Sequence, residues 1–362
     1  MARASSRTAV DARRADEVEY APFPGTADPM EHLYDYLEFL AKAATIVVAI
    51  VAVVVAATSL GLRRGSSEGG HLEVRKFNDR LDDMNRTLRQ AFLTAPAFKK
   101  SIKQEDRARK KASKEGEDRR RVYVLDFDGD LQASKVNHLR HEITAVLTSA
   151  RTQDEVLVRI ESPGGMVHGY GLAASQLERV RQNKIRLVTA VDKVAASGGY
   201  LMASVSDHII AAPFALVGSI GVVAQIPNVH RLLKKHDVDV EVLTAGKYKR
   251  TLTIFGENTE QGRAKFVEEL EDVHALFQEF VQANRPQVSL DEIATGEAWY
   301  GRRALEHRLV DELLTSDAYL TKACNDADVY EVRWVEHKKP IERLLARFAD
   351  AARSTLARFG WV

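Results

Sequence analysis

The stretch RLVTAVDKVAASGGYLMASV, residues 186–205, indicates how this chain folds. An uninterrupted apolar run, RLVTAV, is followed by a turn of small residues and then by the helical segment YLMASV. Apolar residues that run together rather than alternate are typical of parallel strands covered on both faces. The stretch therefore predicts one strand–turn–helix unit, with Ser197 at the turn.

The segments on both sides repeat this arrangement. The strands RVYVLDF and EVLVRIE are each followed by a predicted helix, VNHLRHEITAVLTSA and GYGLAASQLERVRQN. Further along, we expect apolar runs at HIIAAP and LVGSIGVV, a helix at PNVHRLLKKH, a strand at VEVLTAG and a long helix at GRAKFVEELEDVHALFQEFVQAN. Strands that alternate with helices predict an α/β domain whose sheet is mostly parallel, with right-handed crossovers. The sequence has no internal repeat.

Bulk composition excludes some classes of protein. The chain has 362 residues, of which 45% are apolar, enough for a sizeable core. Its 52 lysines and arginines nearly balance 51 aspartates and glutamates, so overall charge gives no case for nucleic-acid binding. Cys324 is the single cysteine, which rules out an intramolecular disulfide and leaves both a periplasmic and a cytosolic home open.

An apolar run near the N-terminus predicts a membrane-spanning helix. AATIVVAIVAVVVAATSLGL, residues 43–62, carries no charge over about twenty residues, the length a helix needs to cross a bilayer. A cleaved signal peptide is the alternative, but the run is too long and starts too far from Met1. Arg63, Arg64, Arg75 and Lys76 follow the run, so the positive-inside rule alone would place the C-terminal bulk in the cytoplasm.

These features divide the chain into five predicted parts. They are an N-terminal tail (1–42), the transmembrane helix (43–62), a polar and charged stalk and linker (63–120), the α/β domain (121–320) and a C-terminal extension (321–362). Residues 71–93 have a weak helical period that suggests a stalk or a partner-packing helix. The charge run that follows indicates a solvated linker or contact with anionic lipid headgroups. Residues 341–362 are amphipathic and basic, which suits a membrane surface or packing on this or a neighbouring subunit.

Two glycine-rich turns are candidates for catalytic roles. In ESPGG, a strand ends in glycines that allow backbone N–H groups to point at a ligand, as in half of an oxyanion hole; a plain turn is the alternative. In AASGGY, Ser197 would begin a helix at the carboxyl end of a parallel sheet, where ligands bind. It is then either a nucleophile or a helix-capping serine. The G-x-S-x-G pattern is absent, which disfavours an α/β-hydrolase.

A serine nucleophile needs a base, and TAGKYKRTLT supplies a candidate. Its two lysines follow a predicted strand in a segment poor in acids. A buried lysine can act as a base because desolvation disfavours the ammonium form, although two solvated surface lysines are the simpler interpretation. His138, His141 and His168 are other candidate bases, but none has an evident carboxylate partner in the sequence.

In combination these motifs resemble a known family. ESPGGMVHGYGLAASQ, DKVAASGGY, GSIGV, TAGKYKR and GEAWYGRRALEHRLVDE occur in this order. The chain resembles the signal peptide peptidase A (protease IV) family of membrane serine peptidases, and within it the SohB-type branch. The resemblance covers roughly residues 30–335. It implies a crotonase/Clp-protease-like fold with a mostly parallel sheet, preceded by one transmembrane helix and a charged linker.

The resemblance also implies residue roles. Ser197 matches the nucleophile and Lys249 the general base of a Ser–Lys dyad, whereas Lys247 matches no catalytic position. Gly165 and Gly198 match backbone donors of the oxyanion hole, and Ser219 matches a serine that orients the lysine. The family commonly has a glycine where this chain has Arg308. Glycine would suit a left-handed helix cap there, so Arg308 implies another cap geometry.

The function implied is hydrolysis of peptide bonds without a metal or cofactor. Expected substrates are apolar peptides such as cleaved signal peptides or misfolded membrane proteins. Expected partners are the lipid bilayer and further copies of the chain in a ring, in which serine and lysine come from one protomer or from two. The family places the catalytic domain on the periplasmic side of the bacterial inner membrane, against the flanking charges. A non-catalytic membrane scaffold and a crotonase-type acyl-CoA enzyme are the alternatives.

Overall fold

The computed structural model describes residues 37–43, 45–46, 69–114 and 119–336. The chain forms two units, residues 1–68 and residues 69–362. In the first, residues 37–43 and 45–46 are helical. The predicted membrane helix at 43–62 lies almost entirely outside the described residues. Among those described, none of the helices has both the length and the apolar character that a membrane span requires.

The described residues of the second unit form ten strands. In chain order they are β1 (Gly70–Lys76), β2 (Arg120–Asp128), β3 (Glu155–Glu161), β4 (Arg186–Val191), β5 (Val194–Ala196), β6 (His208–Ala211), β7 (Leu216–Gly218), β8 (Ala298–Tyr300), β9 (Glu312–Leu313) and β10 (Ala327–Glu336).

Seven of these strands form the main sheet, in the order β1-β10-β2-β3-β4-β6-β9. All neighbours in it are parallel except β1 and β10. A smaller sheet has the order β5-β7-β8. A bridge between Ser162 and Ala195 joins the end of β3 to the smaller sheet. The predicted α/β class with a mostly parallel sheet is confirmed.

In the described part of this unit, ten helices accompany the strands. They are α1 (Phe77–Phe92), α2 (Ala95–Lys114), α3 (Val136–Leu147), α4 (Val167–Gln182), α5 (Gly198–Ser204), α6 (His230–Lys235), α7 (Glu260–Asn284), α8 (Leu290–Ile293), α9 (Gly301–Glu306) and α10 (Ser316–Ala323).

Both faces of the main sheet are buried, which explains the unbroken apolar strands. In β2, Leu125 and Phe127 point into the larger core cluster, where side chains of α3, α4 and α5 also lie. Val122 and Val124, which alternate with them, join a smaller cluster with residues of α1 and α10. Such a two-sided arrangement requires apolar residues at consecutive positions.

The main sheet extends beyond the predicted domain limits of 121 and 320. Residues 70–76, assigned from sequence to the stalk, form β1, and residues 327–336 of the predicted C-terminal extension form β10. The two strands pair antiparallel from Gly70 and Glu336 to Lys76 and Tyr330. The helical period predicted for 71–93 therefore holds only from Phe77 onward. The charge run after it, expected to be a linker, is helical as far as Lys114.

The strand predicted for VEVLTAG does not form. Residues 239–244 have no regular secondary structure, and Leu243 is 88% exposed. Among the described residues no strand pairs with them. An apolar run forms a strand only where a neighbouring strand pairs with its backbone N–H and carbonyl groups. The apolar composition of VEVLTAG is therefore not enough to make it a strand.

Candidate active site

Ser197 has a strained backbone between β5 and α5. Its φ and ψ are 51° and −120°, a conformation that L-residues rarely adopt. It is held there because its N–H donates to the Gly218 carbonyl and its carbonyl accepts from the Leu201 N–H, at 2.8 and 2.9 Å. Strain of this kind is characteristic of functional sites. The half-buried side chain lines a cleft of about 960 Å³.

The glycine turn after β3 packs directly against this serine. Gly164 has φ +92°, and a Cβ placed on it would lie 2.7 Å from the Ser197 Cβ and 2.8 Å from the Gly198 nitrogen. A Cβ on Gly198 would in turn collide with the ring of Tyr170. Both positions therefore require glycine, and the turn and the start of α5 lie in contact around Ser197.

A buried hydroxyl pair determines which N–H groups remain available. The Gly164 N–H donates to the Ser162 Oγ at 3.1 Å, and the Ser162 Oγ lies 2.5 Å from the Tyr170 hydroxyl. Tyr170 donates to the Asp130 carbonyl, so Ser162 donates to Tyr170. Within the described residues, the N–H groups of Gly165 and Gly198 have no such acceptor. These are the two predicted oxyanion donors, and both residues line the cleft.

The rest of the cleft is largely apolar. Leu131, Val167 and Leu201 line it, and α7 contributes a wall from Val273, Leu276, Phe277 and Phe280. An apolar cleft beside a few convergent polar groups is typical of a ligand site. Sequence reasoning missed this wall because α7 is distant in the chain from Ser197, although its apolar residues recur at helical spacing.

His274 lies in this wall and was not singled out from the sequence. Its Nε2 is 3.2 Å from the Ile220 carbonyl, and Gln278 contacts the same ring. Because a carbonyl only accepts, Nε2 carries the proton in this contact. His274 thus ties α7 to the segment after Ser219. His138, His141 and His168 do not line the cleft.

Ser219 lines the cleft as well. It has φ +53°, its N–H donates to the Glu297 carbonyl at 2.6 Å and its Oγ donates to the Gly296 carbonyl at 3.3 Å. A hydroxyl that donates in this way keeps its lone pairs free to accept.

Lys249 is not part of this cleft within one chain. It lies in an exposed loop, its N–H donates to the Gly246 carbonyl at 3.2 Å, and it is absent from the residues that line the cleft. Its neighbour Tyr248 is flanked by Lys247 and Lys265, whose Nζ atoms lie 4.9 and 5.4 Å from the ring centre. The structure thus brings together Ser197, Gly165, Gly198 and Ser219, but not the predicted base.

The expectation for Arg308 is wrong. Arg308 adopts φ +60°, the left-handed cap conformation expected of a glycine. The Leu309 N–H donates to the Ala304 carbonyl, as in a Schellman cap, and the Arg285 guanidinium donates to the Arg308 carbonyl at 2.9 Å. The surrounding hydrogen bonds therefore impose the glycine geometry on a residue with a side chain.

Comparisons with known proteins show the family to which this chain belongs. Residues 31–177 match the N-terminal part of peptidase family S49, and residues 179–330 match peptidase family S49 itself. A probable protease SohB of Haemophilus influenzae is 48% identical over 339 residues, which are 90% of this chain and 96% of the relative. The chain belongs to peptidase family S49. It is a serine-type peptidase of the SohB kind, and the family resemblance inferred from the motifs is confirmed.

Two further matches complete the comparison. A probable protease SohB of Buchnera aphidicola subsp. Schlechtendalia chinensis is 57% identical to this S49 peptidase over 199 residues, 55% of this chain and 65% of the relative. Among solved structures, a mutant of the 1510-N membrane-bound stomatin-specific protease matches with a TM-score of 0.37 and 15% identity. That match covers 56% of this chain and 84% of the other.

Proposed function

We propose that this S49 peptidase is a membrane-anchored endopeptidase that cleaves apolar peptides with Ser197 as nucleophile and Lys249 as base. The observation that carries the proposal is the strained Ser197, held in an apolar cleft beside the N–H groups of Gly165 and Gly198, which have no acceptor among the described residues. The domain is assigned to the crotonase/Clp-protease-like type, and residues 43–62 to its membrane anchor.

The chemistry proceeds in two acyl-transfer steps. The neutral amine of Lys249 takes the Ser197 proton while the Ser197 Oγ attacks the peptide carbonyl, and the N–H groups of Gly165 and Gly198 bind the oxyanion. The lysine ammonium then protonates the leaving amine, which departs and leaves an acyl-enzyme. Water, deprotonated by the same lysine, hydrolyses the ester and returns the proton to Ser197.

The lysine is proposed to come from a neighbouring copy of the chain. A base must be neutral at working pH, and a lysine is neutral only where it is desolvated. In one chain Lys249 is exposed and lies outside the cleft. Its loop also exposes Val242, Leu243 and Phe255 to water. If this loop docks over the cleft of the next protomer, the exposed apolar side chains and Lys249 are buried in one step.

Ser219 is proposed to orient the incoming lysine. Its Oγ donates to the Gly296 carbonyl, so the lone pairs that remain can accept a hydrogen bond from the Lys249 amine. In this arrangement the loop of each protomer covers the cleft of the next protomer, which is a head-to-tail interface. Such an interface, repeated by rotation, closes into a ring. The ring is assigned to the periplasmic side of a bacterial inner membrane.

The substrate class follows from the lining of the cleft. The α7 wall and Leu201 present apolar side chains beside the nucleophile, and charged side chains are absent from the cleft lining among the described residues. A charged peptide side chain would lose its hydration there without gaining a partner. Apolar segments, such as cleaved signal peptides or pieces of misfolded membrane proteins, are the substrates that such a cleft would bind.

Purified full-length protein tests the dyad. We expect Ser197→Ala and Lys249→Ala to lose nearly all cleavage of an apolar fluorogenic peptide across pH 6 to 10, at unchanged assembly size. Lys247→Ala, which changes a lysine two residues away, should keep parental activity. Equal rates in all variants would refute the dyad. No cleavage by the parent, with intact assembly, would favour a scaffold, and turnover of acyl-CoA thioesters would favour the crotonase-type alternative.

A further inference from the structure

Helix α1 has an apolar face that the rest of the described chain covers only in part. Phe77 and Leu81 on this face pack into the smaller core cluster. Met84, Leu88 and Phe92 continue the face at four-residue spacing, yet they are 57%, 65% and 71% exposed. We name these three residues the α1 stripe. Three large apolar side chains in a row on one helix face are typical of a packing surface.

The neighbouring helix α2 does not cover the stripe. Arg86 and Arg89 of α1 form ion pairs with Glu105 of α2, at 2.8 and 2.5 Å. In a helix that turns 100° per residue, Arg86 lies about 160° around the axis from both Met84 and Leu88, and Arg89 lies about 140° and 100° from them. Met84 and Leu88 therefore do not point at α2, in agreement with their exposure.

The course of α1 shows which part of the chain lies near the stripe. At its start, Asn78 accepts from the Val329 N–H and donates to the Ala327 carbonyl. Further along, Met84 and Thr87 share a groove with Glu331 and Arg333. Helix α1 thus runs alongside β10 in the same direction, and Leu88 and Phe92 lie beyond Arg333, towards Glu336. The described part of the chain ends at Glu336, with 26 residues still to follow.

We propose that the C-terminal segment of the same chain packs its first apolar residues on the α1 stripe. After the four residues 337–340, Ile341, Leu344, Leu345 and Phe348 recur at helical spacing. Pro340 suits the start of a helix. At about 1.5 Å per residue, the stripe is roughly 12 Å long and the interval 341–348 roughly 10 Å. The two apolar surfaces match in length.

The short link formed by residues 337–340 favours the C-terminal segment of the same chain over a second copy of the chain. A short linker gives an effective concentration in the millimolar range, far above that of a separate molecule.

Disulfide trapping in the full-length protein tests the contact. In a Cys324→Ala background, Leu88→Cys is combined with Leu345→Cys and the protein is treated with a mild thiol oxidant. We expect an intrachain disulfide, seen as a mobility shift on a non-reducing gel and as a linked peptide by mass spectrometry. The matched control pairs Gln90→Cys with Leu345→Cys, because exposed Gln90 lies on the opposite side of α1. It should cross-link several-fold less.

The other outcomes overturn the proposal. A covalent dimer formed by the Leu88→Cys pair would identify a second copy as the occupant. Equal cross-linking by both pairs would indicate a segment without a fixed position. If neither pair cross-links, and Leu88→Asp changes neither hydrogen exchange nor tryptic cleavage of residues 341–358, the stripe does not hold this segment. Because these readouts do not involve activity, they are independent of the proposed dyad.

Discussion

Gly164 and Ser197 pack so closely that a single methyl group cannot be added between them. A Cβ on Gly164 would lie 2.7 Å from the Ser197 Cβ, well below van der Waals contact. Gly164 also has a positive φ and gives its N–H to Ser162, so the turn after β3 is fixed from both sides. The position of the nucleophile and that of the Gly165 N–H therefore depend on one another.

This contact predicts a large effect of Gly164→Ala. The added methyl group must displace either Ser197 or the turn that carries the Gly165 N–H, so kcat/KM for an apolar peptide should fall about a hundredfold or more. Gly171→Ala is the control, because Gly171 lines the same cleft but a Cβ there meets no atom within 4 Å. Parental activity in folded Gly164→Ala would contradict the assigned oxyanion hole.

The α7 wall predicts a specificity effect for Leu276→Lys. Burial of a leucine side chain contributes about 1.5–3 kcal/mol, so its loss should lower kcat/KM for apolar peptides roughly ten- to a hundredfold. Leu276 is already largely exposed in the free chain, and stability should change little. Val267→Lys on the same helix, outside the cleft lining, should have no effect on kinetics. If both variants behave alike, the wall does not bind substrate.

The cap at Arg308 predicts a stabilising substitution. A left-handed conformation costs an L-residue energy that glycine does not lose, although glycine is more flexible when unfolded. We expect Arg308→Gly to be more stable than Arg308→Ala by about 0.5–1 kcal/mol, measured by urea unfolding. The alanine variant controls for loss of the side chain. A less stable glycine variant would show that the cap is not strained.

Glu142 predicts a pH dependence of stability. Burial raises its pKa to about 7, and only one of its oxygens, which accepts from the Trp334 N–H at 2.7 Å, has a partner among the described residues. Asp126 raises the pKa further, while Lys135 and Arg333 oppose the shift. The protonated form is thus favoured in the fold. The stability that protonated Glu142 contributes to the fold is complete below the pKa of Glu142 in the unfolded chain. This contribution is lost as the pH rises through about 7.

The matched variant is Glu142→Gln, which cannot ionise. Between pH 5 and pH 8 the parent should lose about 2–3 kcal/mol of unfolding free energy that Glu142→Gln does not lose. The difference in free energy of unfolding between variant and parent should therefore rise by this amount, whatever its value at pH 5. Chemical denaturation at both pH values measures this difference. A constant offset would mean that Glu142 ionises in the native protein as it does in the unfolded chain.

The sequence predicted those parts of the fold that local pattern controls. The apolar runs RLVTAV and EVLVRIE became β4 and β3, and the glycines after them became the turns around Ser197. The run VEVLTAG failed because a strand also needs a partner, and none is present among the described residues. β1 was taken for part of a helix because Leu72 fits a helical period by chance, whereas its pairing with β10 joins residues more than 250 positions apart.

The candidate site shows the same division. The motifs predicted Ser197, Gly165, Gly198 and Ser219, which the structure places around one cleft. The Ser162–Tyr170 pair and His274 were missed, since their roles depend on contacts that no short pattern encodes. The Ser162 hydroxyl was visible within ESPGG as a polar residue before two glycines, but its buried partner was not. Lys249 remains a prediction, because a single chain leaves it outside the cleft.

The most direct test of the central claim combines two inactive variants in one assembly. Ser197→Ala and Lys249→Ala chains with different affinity tags are coexpressed, and assemblies that carry both tags are purified. If a neighbour supplies the lysine, about a quarter of the sites in randomly mixed assemblies pair an intact serine with an intact lysine, and peptide cleavage returns. If doubly tagged assemblies form but stay as inactive as either variant alone, the lysine does not come from a neighbouring chain, and the proposed site is wrong.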